Sequence, residues 1–570
     1  MQLKYNFLPA GAVKLKGILG DKLNLSIANR LKKIDYDNLV APFKYRSEND
    51  NRWRGEFWGK VVRSAINSYY STKDEELLAI IKKTVQDIIS CQSPDGCISS
   101  YPDELQANGW DIWGRKYVLL GLLRYYDVIE KSEQVKNCCI KMLEHIMTQM
   151  GPNAKNIADS CNNFNWGLPP ASILGAVVGV WRISGDDKFL DYAKWIIDSG
   201  CCSRHDIFHA VDIGLELRDI AGAKAYEMMS CFQGMAELSM EKENPSYNDT
   251  VLKFYNKVRS EELFITGAAG TGSSGEFWGG GVVNQTGDGG PLGRLGETCV
   301  TVTWIHYCDR ILRLLGEESA IDELEKVFYN ALTGAMVPDG SWWIHDNPTP
   351  LTGNGSKIPA ADQMEAVAGT PYGHDCCVAQ GPEGLAFAPL LAALEFDGGI
   401  AFNFYEDMAV EYHAPNGEMI NFDITGNYPL GNDVNLKISC SKSNNFAIKL
   451  HIPEWWNENC KLSLPDGSIV QNVIPGKYYL LQRTWNNGDI IRFHFDYAIT
   501  RFTSKDDAYV AYKRGGLVLA ADSRCDGKNI SDIKDNFLVT CQVDGRILCD
   551  YISAGNLFTK ENTLQVWFRK

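Results

Sequence analysis

Apolar residues recur at three- and four-residue spacing through most of the first 395 positions, the signature of helices with a buried face. The pattern comes in pairs. Residues 61–70 are followed by 74–90, 116–126 by 132–150, 171–182 by 187–199, 225–240 by 249–258, and 298–315 by 320–333, and residues 384–393 close the series. The first member of each pair is rich in apolar and small residues. The second carries more charge, as at Asp74, Glu75 and Glu76 or at Glu323 and Lys326. A helix that is apolar nearly all round is buried on every side. The alternation therefore predicts an inner ring of helices within an outer one, an (α/α)6 toroid, with its pocket where the loops leading into the inner helices converge. Those loops, 53–60, 108–116, 162–170 and 268–296, are rich in Gly, Pro and Trp. The last is the longest, and long loops in compact domains are mostly functional.

After residue 398 the period changes to two. Segments 400–405, 408–413, 434–439, 446–452, 490–495, 509–513 and 516–520 alternate or are short and β-rich, with turn signals at Gly398, Gly417 and Gly467 between them. The expected architecture is multidomain, α then β. An (α/α)6 barrel catalytic domain covers 16–396, and antiparallel β-sandwich domain or domains cover 397–570. Residues 1–15 add N-terminal strands, at 5–8 and 13–15, that pack on the sandwich.

Composition narrows the function. With 56 basic and 71 acidic residues the net charge is −15, a poor match for nucleic acid or anionic lipid. No apolar run is long enough to span a bilayer. The first residues show no basic head followed by an apolar run, so no signal peptide is expected; the compartment stays open between the cytoplasm and a periplasm reached with a leader since removed. The 17 cysteines are an odd number spread over a chain that needs no disulfide framework, so most read as reduced, buried residues. Fifteen Trp and 25 Tyr offer flat apolar faces with a polar edge, which suit sugar rings.

Two constellations carry chemistry. Cys376 and Cys377, brought by the fold to Glu297 and Cys299, would give three thiols and a carboxylate, a tetrahedral zinc set. Two other adjacent pairs, Cys138 with Cys139 and Cys201 with Cys202, lie on or beside helical segments and read as packing. Glu276, between Gly275 and the aromatic pair Phe277 and Trp278, is a candidate general acid, because aromatic neighbours desolvate a carboxyl.

Stretches 55–60, 92–96, 173–190, 226–237, 275–278, 297–299, 329–334, 347–348 and 376–377 together resemble glycoside hydrolase family 127, the zinc-dependent retaining β-L-arabinofuranosidases once catalogued as DUF1680. The resemblance implies that Glu297, Cys299, Cys376 and Cys377 hold Zn2+, that Cys376 is the nucleophile, and that Glu276 is the acid/base. It implies a retaining exo-glycosidase acting on a glycan side chain. Three departures point to a changed sugar. His345 stands where the family often has Tyr. Lys116 and Tyr117 on one inner helix, and Lys224 and Tyr226 on another, replace expected histidines. Gln380 stands in a stretch that usually carries Asn. Lys116, Lys224, Tyr226 and His345 are thus candidate substrate contacts. The positive charge of Lys116, Lys224 and His345 suits a carboxylated pentofuranose such as aceric acid of the pectic polymer rhamnogalacturonan II. Two other readings stay open: a toroidal lyase or hydrolase of uronic-acid polymers using Tyr372 or His374 as base, and a non-catalytic carbohydrate-binding protein with a structural zinc.

Overall fold

The computed structural model describes residues 3–49, 52–159, 166–272, 274–279, 295–350, 355–361 and 373–570. Tyr372 and most of the stretch 280–296 lie outside the described residues.

Six inner helices dominate the first two-thirds. They are the first (Gly55–Thr72), second (Asp111–Val128), third (Leu174–Ser184), fourth (Ala225–Glu241), fifth (Thr298–Leu315) and sixth (Cys376–Ala392). Each packs on the next, and the sixth packs on the first, so their contacts run in a closed cycle. Every residue of the sixth is buried. Between them run outer helices such as Glu75–Ser90, which turns only Leu77, Ile81, Thr84, Val85 and Ile88 inward and starts where Asp74 accepts the Leu77 N–H. Inner helices approach closely where side chains are smallest. A Cβ on Gly59 would lie 2.0 Å from the Tyr117 carbonyl oxygen of the second helix.

The sixth inner helix is followed by a strand, not by an outer helix. The start of the chain fills that place: Ile18–Ser26 packs on the sixth helix, and Tyr36–Tyr45 on the first and on Glu75–Ser90. The hydrophobic pattern does not announce these two helices. Ile18–Ser26 buries only Leu19, Gly20, Leu23 and Ser26, a stripe too short to rise above its surroundings.

Two sheets follow. One orders Asn6–Phe7, Ala393–Phe396, Gly399–Phe402, Asn444–Ile452 and Lys477–Trp485. The other orders Lys461–Ser463, Ile490–His494, Asp433–Ser439, Met419–Thr425, Met408–His413 and Val13–Leu15. The two strands at the start of the chain thus join different sheets. One pairing departs from the antiparallel expectation: Gly399–Phe402 lies parallel to Asn444–Ile452. Three strands of the other sheet intervene between them, so the chain re-enters in its original direction. A third sheet is built from Ile499–Thr503, Tyr509–Arg514, Leu517–Asp522, Arg546–Asp550 and Thr540–Val543, with short additions including Gly355–Ser356. Among the described residues no helix is long and apolar enough to cross a membrane, and every cysteine is free.

Candidate active site

The cysteine pair opens the sixth inner helix. Asp375 caps it, its carboxylate accepting the backbone N–H of Cys377 at 2.8 Å and of Val378 at 3.3 Å. Both thiols therefore sit in the first turn, at the positive end of the helix dipole. Glu297 and Cys299 hold the matching position on the fifth helix, as its N-cap and second residue. The Glu297 Oε1 atom lies 3.8 Å from Cys376 Sγ and 3.7 Å from Cys377 Sγ, and the two sulfurs are 3.9 Å apart. Cys299 hydrogen-bonds with both thiols. Of the four residues expected to converge, Glu297, Cys376 and Cys377 form one tight group, and Cys299 stands beside them without belonging to it.

A fifth donor joins them. One ligand atom each from Glu297, His345, Cys376 and Cys377 lies within 4.8 Å of the others. His345 hydrogen-bonds Cys376, and its Nε2 is 3.8 Å from Glu297 Oε1 and 3.9 Å from Glu276 Oε1. The backbone holds it there: Thr298 N–H donates to the His345 carbonyl, and Asn347 N–H to Gly296. The imidazole read as a sugar contact is thus also a neighbour of the thiols. Burial opposes its charge, but Asp346 at 2.9 Å and Cys376 outweigh that and raise its pKa to about 10.

The donor set fits a metal. Burial pushes the Glu297 carboxyl well above the usual carboxylate range, and its Oε2 atom is buried with no hydrogen-bond partner. The bond with Cys299, offset in part by Cys377 and reinforced by burial, pushes the Cys376 thiol up to about 12; burial and its two thiol neighbours push Cys377 well up. Burial also opposes ionisation of Cys299, yet its hydrogen bonds with the other two thiols and the nearby Lys60 pull it below the usual thiol value. Soft sulfur donors beside an orphaned carboxylate oxygen make a set that could hold a metal ion. Of the three thiols, Cys376 is 9% exposed and the other two are fully buried.

Glu276 is delivered by a tightly stitched loop. The Ala225 N–H donates to its carbonyl at 2.9 Å, and Trp278 N–H to Ala223 at 2.7 Å, fixing the loop to the start of the fourth helix. At Gly270 (φ 100°) a Cβ would meet the Gly275 carbonyl oxygen at 2.1 Å, so this turn admits glycine alone. The Glu276 carboxylate is partly exposed and accepts from Lys224 Nζ.

The remaining sugar-contact candidates are engaged locally. Lys224 also lies 4.0 Å from Glu227. Lys116 donates to Ser172 Oγ at 3.1 Å and stands over the Trp113 ring; burial lowers its pKa to about 7. Tyr226 and Tyr117 share a hydroxyl–hydroxyl hydrogen bond. Below them a polar cavity of about 40 Å³, lined by Arg63, Lys116, Tyr226, His306 and Gln380 among others, has room for a few waters, not a sugar ring. His374 is wholly buried, 3.0 Å from Arg30, and burial lowers its pKa to about 3.

Residue spacing did not reveal Lys60 or Glu56, although both fall in a stretch that carries the family resemblance. Lys60 Nζ lies 2.9 Å from Glu56 and 3.7 Å from Cys299 Sγ, and Glu56 accepts from the Trp113 indole. Burial works against the Lys60 charge, but Cys299 and Glu56 hold its pKa above the usual lysine range. A lysine two positions after the aromatic pair Phe57 and Trp58 on an inner helix carries no separate signal in the sequence.

The catalytic-domain model of the GH127 β-L-arabinofuranosidases matches residues 14–389, and the middle-domain model of the same family matches 399–497. A non-reducing end β-L-arabinofuranosidase of Bifidobacterium longum is 21% identical over 495 residues, 79% of this chain and 72% of that protein. The solved GH127 β-L-arabinofuranosidase of Geobacillus stearothermophilus T6 superposes with a TM-score of 0.74 at 15% identity, over 98% of this chain and 99% of that one. A second solved GH127 β-arabinofuranosidase gives a TM-score of 0.77 at 19% identity, over 100% and 98%. At these identities the structural likeness speaks for the fold.

Proposed function

Because the chain belongs to the GH127 β-L-arabinofuranosidase family and is a glycoside hydrolase acting on a glycan, we propose that it releases a terminal β-L-pentofuranose, β-L-arabinofuranose first among them, with retention of configuration. One observation carries this. Cys376, the thiol among three that reaches the surface, hydrogen-bonds His345, whose Nε2 lies 3.9 Å from Glu276 Oε1. Nucleophile and proton donor thus both neighbour one imidazole.

In the first step the Cys376 sulfur forms a bond to the anomeric carbon as the glycosidic C–O bond breaks, and Glu276 gives its proton to the departing oxygen. In the second, Glu276 takes a proton from water, whose oxygen replaces sulfur at the same carbon. Two inversions give retention. Most glycosidases use a carboxylate where this chain would use a thiol. We read Glu297, Cys299, Cys376 and Cys377 as zinc ligands, with His345 as a competing donor; zinc bound there would keep the sulfur deprotonated. Lys60 places a cation on the far side of Cys299, and Lys224 orients the Glu276 carboxylate.

The closed cycle of inner helices supports an (α/α)6 barrel over 16–396, followed by β-sandwich domains over 397–570 with strands of 1–15 added to them. A pectic side chain fits as the source of substrate. A carboxylated sugar is less well supported than a neutral one, because Lys224, Lys116 and His345 are each engaged by groups of the protein itself. The lyase reading loses its described base, since His374 is sealed against Arg30.

A pentofuranose-shaped reagent with an electrophile at its anomeric carbon tests the proposal. Intact-mass and peptide analysis are expected to find one adduct per chain, on Cys376, and none in Cys376→Ser. Labelling elsewhere, or inverted product seen by NMR, would overturn it.

A further inference from the structure

Resting on the hydrolase reading above, we propose that Trp53 and Trp110 form an aromatic platform for the leaving-group sugar. Both stand at the leading ends of inner helices: Trp53 precedes the first, and Trp110 is the N-cap of the second. Their rings meet edge to face at 6.3 Å, Trp110 meets Trp113 at 5.8 Å, and Trp113 meets Tyr226 at 5.2 Å. Burial rises along this ladder. Trp53 and Trp110 are half-buried, whereas Trp113 and Tyr226 are buried.

The inner end of the ladder leads to the catalytic machinery through intervening residues. Trp113 donates to Glu56, which binds the Lys60 that contacts Cys299. Tyr226 lies two residues after Lys224, the partner of Glu276. The cleaved sugar belongs between Cys376 and Glu276, so rings further out along the same rim fall where the chain beyond the scissile bond must run.

The outer pair is held in place. The Glu48 carboxylate, 7% exposed, accepts the backbone N–H groups of Arg54 and Gly55 just after Trp53. Tyr101 ties the two loops together: its hydroxyl donates to the Arg52 carbonyl and accepts the Trp110 N–H at 3.4 Å. Fixed aromatic faces bind with little ordering cost, and the carbon-bound hydrogens of a pyranose or furanose pack against an indole face.

The test compares kcat and KM of wild type, Trp53→Ala, Trp110→Ala and Trp110→Phe on two substrates that share the cleaved pentofuranose, a disaccharide and the methyl glycoside. The alanine variants are expected to lose about tenfold in kcat/KM on the disaccharide and several-fold less on the methyl glycoside, with Trp110→Phe recovering part of the loss. Thermal melts confirm that each variant is folded. Equal losses on both substrates, or none on the disaccharide, would overturn the platform while leaving the hydrolase reading intact. A wild type inert on both substrates would overturn the two together.

Discussion

Two buried carboxylates, Glu297 and Glu406, sit at opposite kinds of site. Glu406 lies where the helical part meets the sheets. Its oxygens accept the Leu19 N–H at 3.1 Å, the Gly20 N–H at 3.2 Å and the Tyr329 hydroxyl at 3.0 Å. Burial raises its pKa to about 7, and those donors temper the rise. Nearby, Glu325 accepts from Trp455 at 3.0 Å and from Tyr428, tying an outer helix to the sandwich. Glu297 is equally buried, but its neighbours are thiols and one of its oxygens has no partner. A buried polar group is ordinarily satisfied. The satisfied carboxylates explain themselves as structural joints, while the unsatisfied one keeps an acceptor oxygen beside the thiols, in a cluster that could hold a metal ion.

The largest expected effect separates chemistry from architecture. Cys376→Ser should lower kcat by about a thousandfold or more with little change in melting temperature, whereas Glu406→Gln should lower the melting temperature and leave kcat within a few-fold; near-normal turnover in Cys376→Ser would end the comparison.

Next comes the acid. Glu276→Ala should cost about a hundredfold or more on poor leaving groups and far less on activated aryl glycosides. Equal losses across a leaving-group series would remove Glu276 from that role.

Metal content follows. Elemental analysis should find about one zinc per chain in wild type and in Glu406→Gln. Glu297→Gln should bind less, and dialysis against a chelator should lower both the melting temperature and activity, with zinc restoring them. Comparing Cys299→Ser with His345→Ala sharpens the ligand set, because the variant that loses zinc identifies the fourth donor.

The smallest effect concerns pH. Burial, then repulsion from Asp322, raises the Glu325 pKa to about 8 against an ordinary 4.5. In the folded state the group therefore holds a proton that the unfolded chain releases between those values. Stability from this group is intact below pH 4.5 and falls as the pH rises toward 8. Melting curves of Glu325→Gln and wild type should converge at low pH and separate at high pH, with wild type the less stable; parallel curves would place the proton elsewhere.

Much of this was legible along the chain. Inner and outer helices differ in composition because one is surrounded by protein and the other is half in water, a distinction each turn records locally. Strand 408–413 reads clearly because its alternation is strict. Met419–Thr425 alternates as strictly in the structure yet is missed, since Asn421 and Asp423 on its open face weaken its β character. Glu276, Glu297 and the cysteines were nameable because few residue types perform their chemistry.

What the linear order did not contain was who faces whom. That Lys224 pairs with Glu276, that Lys60 backs Cys299, and that His345 enters the thiol cluster are products of three helix starts meeting at one rim. The same holds for Ile18–Ser26 filling the sixth outer place. Periodicity is set by contacts within a turn or two, and sequence carries it. Partnerships between residues hundreds of positions apart are settled by packing, which weighs the whole chain at once.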